Sequence, residues 1–348
     1  MSIVEILQHY SDRFKHKYGA HTTTDQWSAL NAMLGCRTGQ YGDVVLGCNH
    51  CGWSGSVPQS CGHRACQQCQ HPTTVEWLGR QQQKLLPVNY FMVTFTLPRE
   101  LRALAKSHPK QVYSALFEAA SGTLKSFGLN DKKLAGEMGM TGVLHTHSRR
   151  LDYHPHLHFV VPAGALDKKR RQWRRKKGKY LSKQTNPATV FRARLLKTLQ
   201  QTGHSCPDTP KEWIVDCQAV GRGLPALKYL SRCLYRGVIS DRQIVNDDGN
   251  QVTFSYKNSQ TGNTEKRTLP GEDFIALLLQ HTLPKGFRRA RDYGFLHGNA
   301  KRWLHLLQMI LNIILPPPNP KPRPSFPCKV CQQAVSILGF IKPKCDTG

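Results

Sequence analysis

The stretch GVLHTHSRRLDYHPHLHFVV (142–161) decides how this chain is read. It holds two β-rich runs, 142–149 and 156–161, joined by a short polar link, which predicts an antiparallel pair. Side chains alternate across a strand, so His156 and His158 share one face while Leu157 turns to the core. Two imidazoles about 7 Å apart along a strand can chelate one divalent metal. The preceding run carries a second pair, His145 and His147. Antiparallel pairing can bring one of these beside the first two, and three imidazoles around one metal is a far less accidental pattern than one pair.

Outward from this stretch the pattern continues. The run YFMVTFTL (90–97) is β-rich and is closed by Pro98. Helical segments follow at about 98–106 and 109–126, a helix near 187–201, a strand at 213–220 and a helix at 224–236 after a Gly-rich turn. The order β-α-β-β-α-β plus one helix predicts an α+β fold: a ferredoxin-like core with an antiparallel sheet. Tyr229 lies in the last of these helices, which can pack near the strand of His156 and His158. A tyrosine at helical spacing is ordinarily core packing; the histidines single this one out. Beside a divalent metal, a phenolate can attack a phosphodiester, displace the 3′-hydroxyl and hold the 5′-phosphate covalently.

Upstream, 3–17, 25–34 and 73–85 read as helices. The segment 36–71 is rich in Cys, Gly and His and lacks apolar periodicity, so it needs a staple. Of the twelve cysteines, six fall between Cys36 and Cys69 and three between Cys328 and Cys345. Cys48-x2-Cys51 and Cys66-x2-Cys69 have the spacing of two zinc knuckles, and together predict one four-thiolate Zn2+ site. Cys36, Cys61 and His63 are candidates for a second zinc site. Downstream come a strand at 251–256, a helix at 271–280, a proline-rich linker and a small tail. Cys328, Cys331 and Cys345 give that tail three thiols. The blocks are thus an N-terminal zinc-binding domain (1–86), a nuclease-like core (87–245), a basic C-terminal region (246–315), and linker with tail (316–348).

Forty-nine Lys and Arg against 22 Asp and Glu give a formal charge of +27, which implies a polyanionic partner. A membrane is not expected: the longest apolar stretch, 303–315, is short and broken by His305, Gln308 and Asn312. The first fifteen residues lack the pattern of a signal peptide, so a cytoplasmic location, on the nucleoid through DNA, is expected. The run KKRRQWRRKKGK (168–179) reads as a basic loop. Lys168, Lys169, Arg170, Arg171, Arg174, Arg175, Lys176 and Lys177 can neutralise phosphates, and Trp173 can stack on an unpaired base. Arg288 and Arg289 form a second basic cluster.

The runs CRTGQYG (36–42), VTFTLPREL (93–101), LHTHSRRLDYHPHLHFVVPAGAL (144–166), LKYLSRCLYRGVIS (227–240) and LPKGFRRARDYGFLH (283–297), with the cysteine knuckles, resemble the rolling-circle transposases of the IS91 type. These are two-tyrosine enzymes of the HUH class, named for the His-hydrophobic-His motif, with an N-terminal zinc-binding domain. The resemblance spans about residues 5–310. It implies a metal-dependent DNA nickase and strand transferase that cuts and rejoins single-stranded DNA at element ends and target DNA. The implied intermediate is a 5′-phosphotyrosine, and the implied catalytic ion is Mg2+ or Mn2+. It places the HUH pair on His156 and His158 and the first tyrosine on Tyr229. It also favours His145 as third ligand, with His147 the alternative. Cys233 stands at the second tyrosine's position, and Val44 and Ala65 stand where the family usually has histidines. A replication initiator or relaxase is argued against by the FTLP and LPKGF blocks. A catalytically impaired copy acting only as a zinc-dependent DNA-binding protein is the reading Cys233 favours.

Overall fold

The computed structural model describes residues 2–69, 71–176, 178, 181, 185–235, 238–258, 260–314 and 326–343. Two capped helices begin it: α1 (Ile3–Tyr18), opened by reciprocal hydrogen bonds between Ser2 and Glu5, and α2 (Thr24–Leu34), opened likewise by Thr23 and Gln26. The cysteine-rich segment forms a hairpin of β1 (Asp43–Gly47) and β2 (Ser54–Pro58), and α3 (His71–Gln82) follows it. The central unit then runs β3 (Tyr90–Thr96), α4 (Arg102–Ser107), α5 (Pro109–Asn130), β4 (Met140–His147) and β5 (Tyr153–Pro162). It continues through β6 (Gly164–Asp167), β7 (Gln172–Arg175), α6 (Thr185–Gln201), β8 (Val215–Ala219) and α7 (Leu224–Tyr235). The remainder comprises β9 (Ile244–Asp247), β10 (Gln251–Lys257), β11 (Thr264–Pro270), α8 (Gly271–Leu279), β12 (Ala290–Tyr293), α9 (Lys301–Ile310), β13 (Phe326–Pro327) and β14 (Ala334–Ile341).

The main sheet has the order β12-β4-β5-β3-β8, with every neighbour antiparallel. Its last four strands are the ferredoxin-like arrangement expected from β-α-β-β-α-β, and β12 is added at the edge beside β4. Strand alternation sorts the two faces. Phe91, Val93, Phe95, Leu157, Phe159 and Val161 point to one side and pack with Phe117 of α5 and Phe191 of α6. On the opposite side, Tyr90, Val143 and Val160 share a second apolar cluster with Leu227, Leu230 and Leu234 of α7, Trp77 of α3 and Leu304 of α9. The histidines sit on this second side, under α7.

Segments far apart in sequence share cores. α1 lies on α8, and Ile6, Leu7, Tyr10 and Phe14 share a core with Phe254 of β10 and Phe274 of α8. The tail is also built into the fold. β14 pairs antiparallel with β1, giving the sheet β13-β14-β1-β2, so the C-terminal hairpin and the N-terminal cysteine-rich hairpin share one sheet.

The expected basic loop is a hairpin of β6 and β7 instead. Its charges are partly neutralised by Lys168–Glu137, Arg174–Asp167 and Lys176–Asp131 pairs. Among the described residues, no helix is long and apolar enough to cross a membrane.

Candidate active site and metal centres

His145 and His156 lie directly opposite each other in the β4–β5 register, and His158 is the next same-face residue along β5. The rings of His145, His156 and His158 have centroids 4.6–5.1 Å apart. One ring nitrogen from each lies within 4.8 Å of the others. A shift in register between His145 and His147 ends regular pairing there. His147 consequently sits beside His281, at 5.4 Å between centroids, and outside the three-nitrogen group.

Neighbouring groups set how these rings present their nitrogens. The His156 Nδ1–H donates to the His154 carbonyl at 2.7 Å, which leaves Nε2 with its lone pair. His158 Nδ1 is engaged by Thr94 Oγ1 at 2.9 Å. His145 Nε2 is buried with no hydrogen-bond partner. Burial, with the neighbouring rings, holds His145 well below the ordinary imidazole value and His156 at about 3; burial alone holds His158 at about 4. All three are therefore neutral near pH 7. A neutral three-imidazole set with an orphaned nitrogen has the donor chemistry of a divalent-metal site.

Tyr229 stands over this cluster. Its ring centroid is 6.3 Å from that of His145 and 6.0 Å from that of His158, and the side chain is 44% exposed. A tyrosine so placed is both next to the imidazoles and reachable from solvent. Its helix is aimed by a tight turn. Gly223, at φ +82°, packs so closely on Tyr90 that a Cβ would meet the ring at 2.7 Å. Ala226, Leu227, Leu230 and Leu234 bury the apolar stripe of α7. Arg289 ties down the far end, donating from Nε to the Leu144 carbonyl and from NH1 to the Leu234 carbonyl. The side chains of Cys233 and Tyr235 lie outside the described residues.

The basic residues divide. Arg289 is not a free phosphate contact, because its guanidinium bridges β4 and α7. Trp173 is not an open stacking platform either: it lies over Gly164 and meets Phe295 edge-on at 5.9 Å. Lys169, Arg170, Arg171 and Arg175 are exposed on the hairpin, and Arg288 is exposed at the second cluster. Lys177 lies outside the described residues. A cleft of about 410 Å³ runs beside the last turn of α7, lined by Arg64, Arg80, Lys84, Arg288 and Arg289 among others.

The cysteines group differently from the expected knuckle pair. Cys66 and Cys69 join Cys36 and Cys61, while Cys48 and Cys51 join Cys328 and Cys331. The Sγ atoms of Cys36 and Cys69, Cys61 and Cys69, and Cys36 and Cys66 are 3.5–3.6 Å apart. A tetrahedron of Zn–S bonds near 2.3 Å has edges of about 3.8 Å, so this cluster fits zinc. His63 is no member of it; its Nδ1 accepts from the Ala65 N–H. Cys345 lies outside the described residues. Sequence spacing missed the partner of Cys48–Cys51 because Cys328–Cys331 comes from a distant segment; Cys36 and Cys61, expected in a second site, complete the cluster of Cys66 and Cys69. Thr94 was missed too: its contact with His158 comes from the neighbouring strand, Thr94 opposite His158.

Two family models match this chain. A family model described as "Putative transposase" matches residues 139–303, and one described as "Transposase zinc-binding domain" matches residues 6–97. A putative transposase of Sinorhizobium fredii (y4qJ) is 30% identical over 91% of this chain and 86% of its own length. The transposase for insertion sequence element IS801 of Pseudomonas savastanoi pv. phaseolicola is 28% identical over 84% of this chain and 75% of its own. Among solved structures, the conjugative relaxase TrwC in complex with mutant OriT DNA aligns over 62% of this chain and 72% of that chain, at 15% identity and a TM-score of 0.28. With its sheet-borne histidines and cysteine-bound N-terminal region, the chain belongs to the IS91-type transposases with an N-terminal zinc-binding domain.

Proposed function

We propose that this transposase nicks and rejoins single-stranded DNA at the ends of its element through Tyr229. The observation that supports this reading is the exposed Tyr229 ring above three converging, neutral imidazoles. In the forward step Tyr229 Oη, having lost its proton, attacks the scissile phosphorus. A bond forms between Oη and phosphorus, and the bond from phosphorus to the 3′-oxygen breaks. That oxygen leaves as a 3′-hydroxyl after taking a proton, and the 5′-phosphate stays on the tyrosine. Rejoining is the reverse attack by a 3′-hydroxyl.

His145, His156 and His158 are the residues that would hold Mg2+ or Mn2+. Such an ion withdraws charge from a phosphate oxygen. The protein's own part is to keep the three rings neutral and oriented, through Thr94 and the His154 carbonyl, and to hold α7 in place through Arg289. Lys169, Arg170, Arg171, Arg175 and Arg288 supply backbone charge for the strand. The hairpin starts at Gly164, on the order of 20 Å along the strand from His158, so it engages DNA away from the scissile phosphate.

The test is incubation of the chain with single-stranded element ends and Mn2+, followed by detection of a covalent adduct. Tyr229→Phe should abolish the adduct, and Tyr235→Phe should leave it. His156→Ala and His158→Ala should abolish cleavage without loss of DNA binding. An adduct that persists in Tyr229→Phe, or that maps to Tyr235, overturns the assignment.

A further inference from the structure

The second cysteine cluster joins the N-terminal cysteine-rich hairpin to the C-terminal hairpin. Cys48 and Cys51 lie in the turn between β1 and β2, and Cys328 and Cys331 in the turn between β13 and β14. The two turns have the same build. The Cys48 N–H donates to the Trp53 carbonyl at 2.7 Å, and the Gly52 N–H to the Cys48 carbonyl at 3.0 Å. In the tail, the Cys328 N–H donates to the Gln333 carbonyl at 2.7 Å, and the Gln332 N–H to the Cys328 carbonyl at 3.0 Å. The residue after the second cysteine has positive φ in both, +73° at Gly52 and +62° at Gln332. Val330 N–H also points at Cys328 Sγ, at 3.4 Å.

Pairing of β1 with β14, from Asp43 opposite Ile341 to Gly47 opposite Ser336, brings both turns to one end of the sheet. There the Sγ atoms of Cys48 and Cys331 are 3.5 Å apart and those of Cys51 and Cys328 3.6 Å. These separations are far beyond a disulfide bond of about 2 Å and close to the edges of a tetrahedral Zn–S4 centre. Four thiols and no other donor select a soft, closed site, which is structural zinc rather than a hard catalytic ion.

Apolar packing does not account for the docking of the tail. Cys328 is the only buried residue among described residues 326–343. Ile337, Leu338, Phe340 and Ile341 of β14 are all exposed. Backbone pairing to β1, Leu338 lying over Gly47, and the sulfur cluster connect this hairpin to the rest.

We propose that Cys48, Cys51, Cys328 and Cys331 bind a second structural Zn2+ that clasps the C-terminal hairpin onto the N-terminal sheet. The chain then carries two zinc ions, and its two cysteine-bearing hairpins are held together through the second.

The test uses the full-length chain, with zinc counted by elemental analysis and backbone protection followed by hydrogen exchange. Wild type should hold two zinc ions per chain, and Cys328→Ser with Cys331→Ser should hold one. In that variant exchange at 334–341 and 43–47 should rise at least tenfold while α5 stays protected. Should the variant fail to fold, complete zinc removal from wild type decides: 334–341 must lose protection while α5 keeps it. One zinc per wild-type chain, two in the double variant, or unchanged protection at 334–341 after zinc loss would overturn the proposal.

Discussion

Thr94 shows what a single residue contributes to the histidine cluster. Its hydroxyl engages His158 Nδ1 at 2.9 Å, which fixes the ring and leaves the other nitrogen for ligation. Such outer partners commonly change metal affinity or activity by about 10–100-fold. Thr94→Val should therefore slow nicking of a single-stranded oligonucleotide by about tenfold, and Thr94→Ser should restore most of it; an undiminished rate in the valine variant would contradict the role. Burial of the rings has a second consequence. His156, His158 and His281 are held at about 3, 4 and 4, below the ordinary 6.5. Between the folded and unfolded values the unfolded chain binds more protons, so stability falls as pH falls. It is fully present above about 6.5 and is lost progressively towards 3–4. Metal-free protein should accordingly show a lower urea midpoint at pH 5 than at pH 7.5, and equal midpoints would refute the argument. His156 and His158 were legible because strand alternation is strict; alternation left His145 and His147 both open, and only the family resemblance favoured His145. Thr94 was not legible, because its relation to His158 depends on which strands are neighbours.

At the level of elements, β3, β4, β5, β8 and α5 to α7 were legible from apolar periodicity, and their order was enough to give the sheet. β6 and β7 were not. The run KKRRQWRR has no alternating apolar face, and its strand character comes from Trp173 packing over Gly164 and from pairing with Asp167. β12 (ARDY) is similarly short and polar, and it forms because β4 offers it an edge. The placing of α7 rests on a glycine. Gly223 has φ +82°, and a Cβ there would approach the Tyr90 ring to 2.7 Å. Gly223→Ala should cost about 1–3 kcal/mol from the left-handed backbone alone, more if Tyr90 cannot yield. Thermal unfolding would report it, and nicking should fall with it as Tyr229 loses its position. A variant as stable and active as wild type would show that the turn does not set the helix.

For the whole molecule, the question is why spacing misled the pairing of the cysteines. Cys48–Cys51 and Cys66–Cys69 are close in sequence, and short loops cost less entropy to close. The difference is small, however. Cys51 and Cys328 are 277 residues apart, and closing that loop instead of the short one costs only about 3 kcal/mol more, since the term is logarithmic. Structural zinc contributes about 10–16 kcal/mol in small peptides, so pairing follows the sheet that β1 and β14 form, which local spacing does not encode. The two clusters also differ in what they support. Cys36 and Cys66 are buried in the core that joins α1, α2, β10 and α8, beside Leu30, Met33 and Phe274. That core is further tied by the Tyr10 hydroxyl donating to Asp247 at 2.5 Å and by the Lys17–Asp273 ion pair. The second cluster holds a hairpin with a single buried residue. Cys66→Ser should therefore lower the main thermal midpoint by about 10 °C or more, whereas Cys331→Ser should release the tail and leave that midpoint nearly unchanged. Calorimetry on the two variants separates these outcomes. Equal shifts would mean that the tail clasp carries as much of the fold as the buried cluster, which the exposure of β14 does not allow.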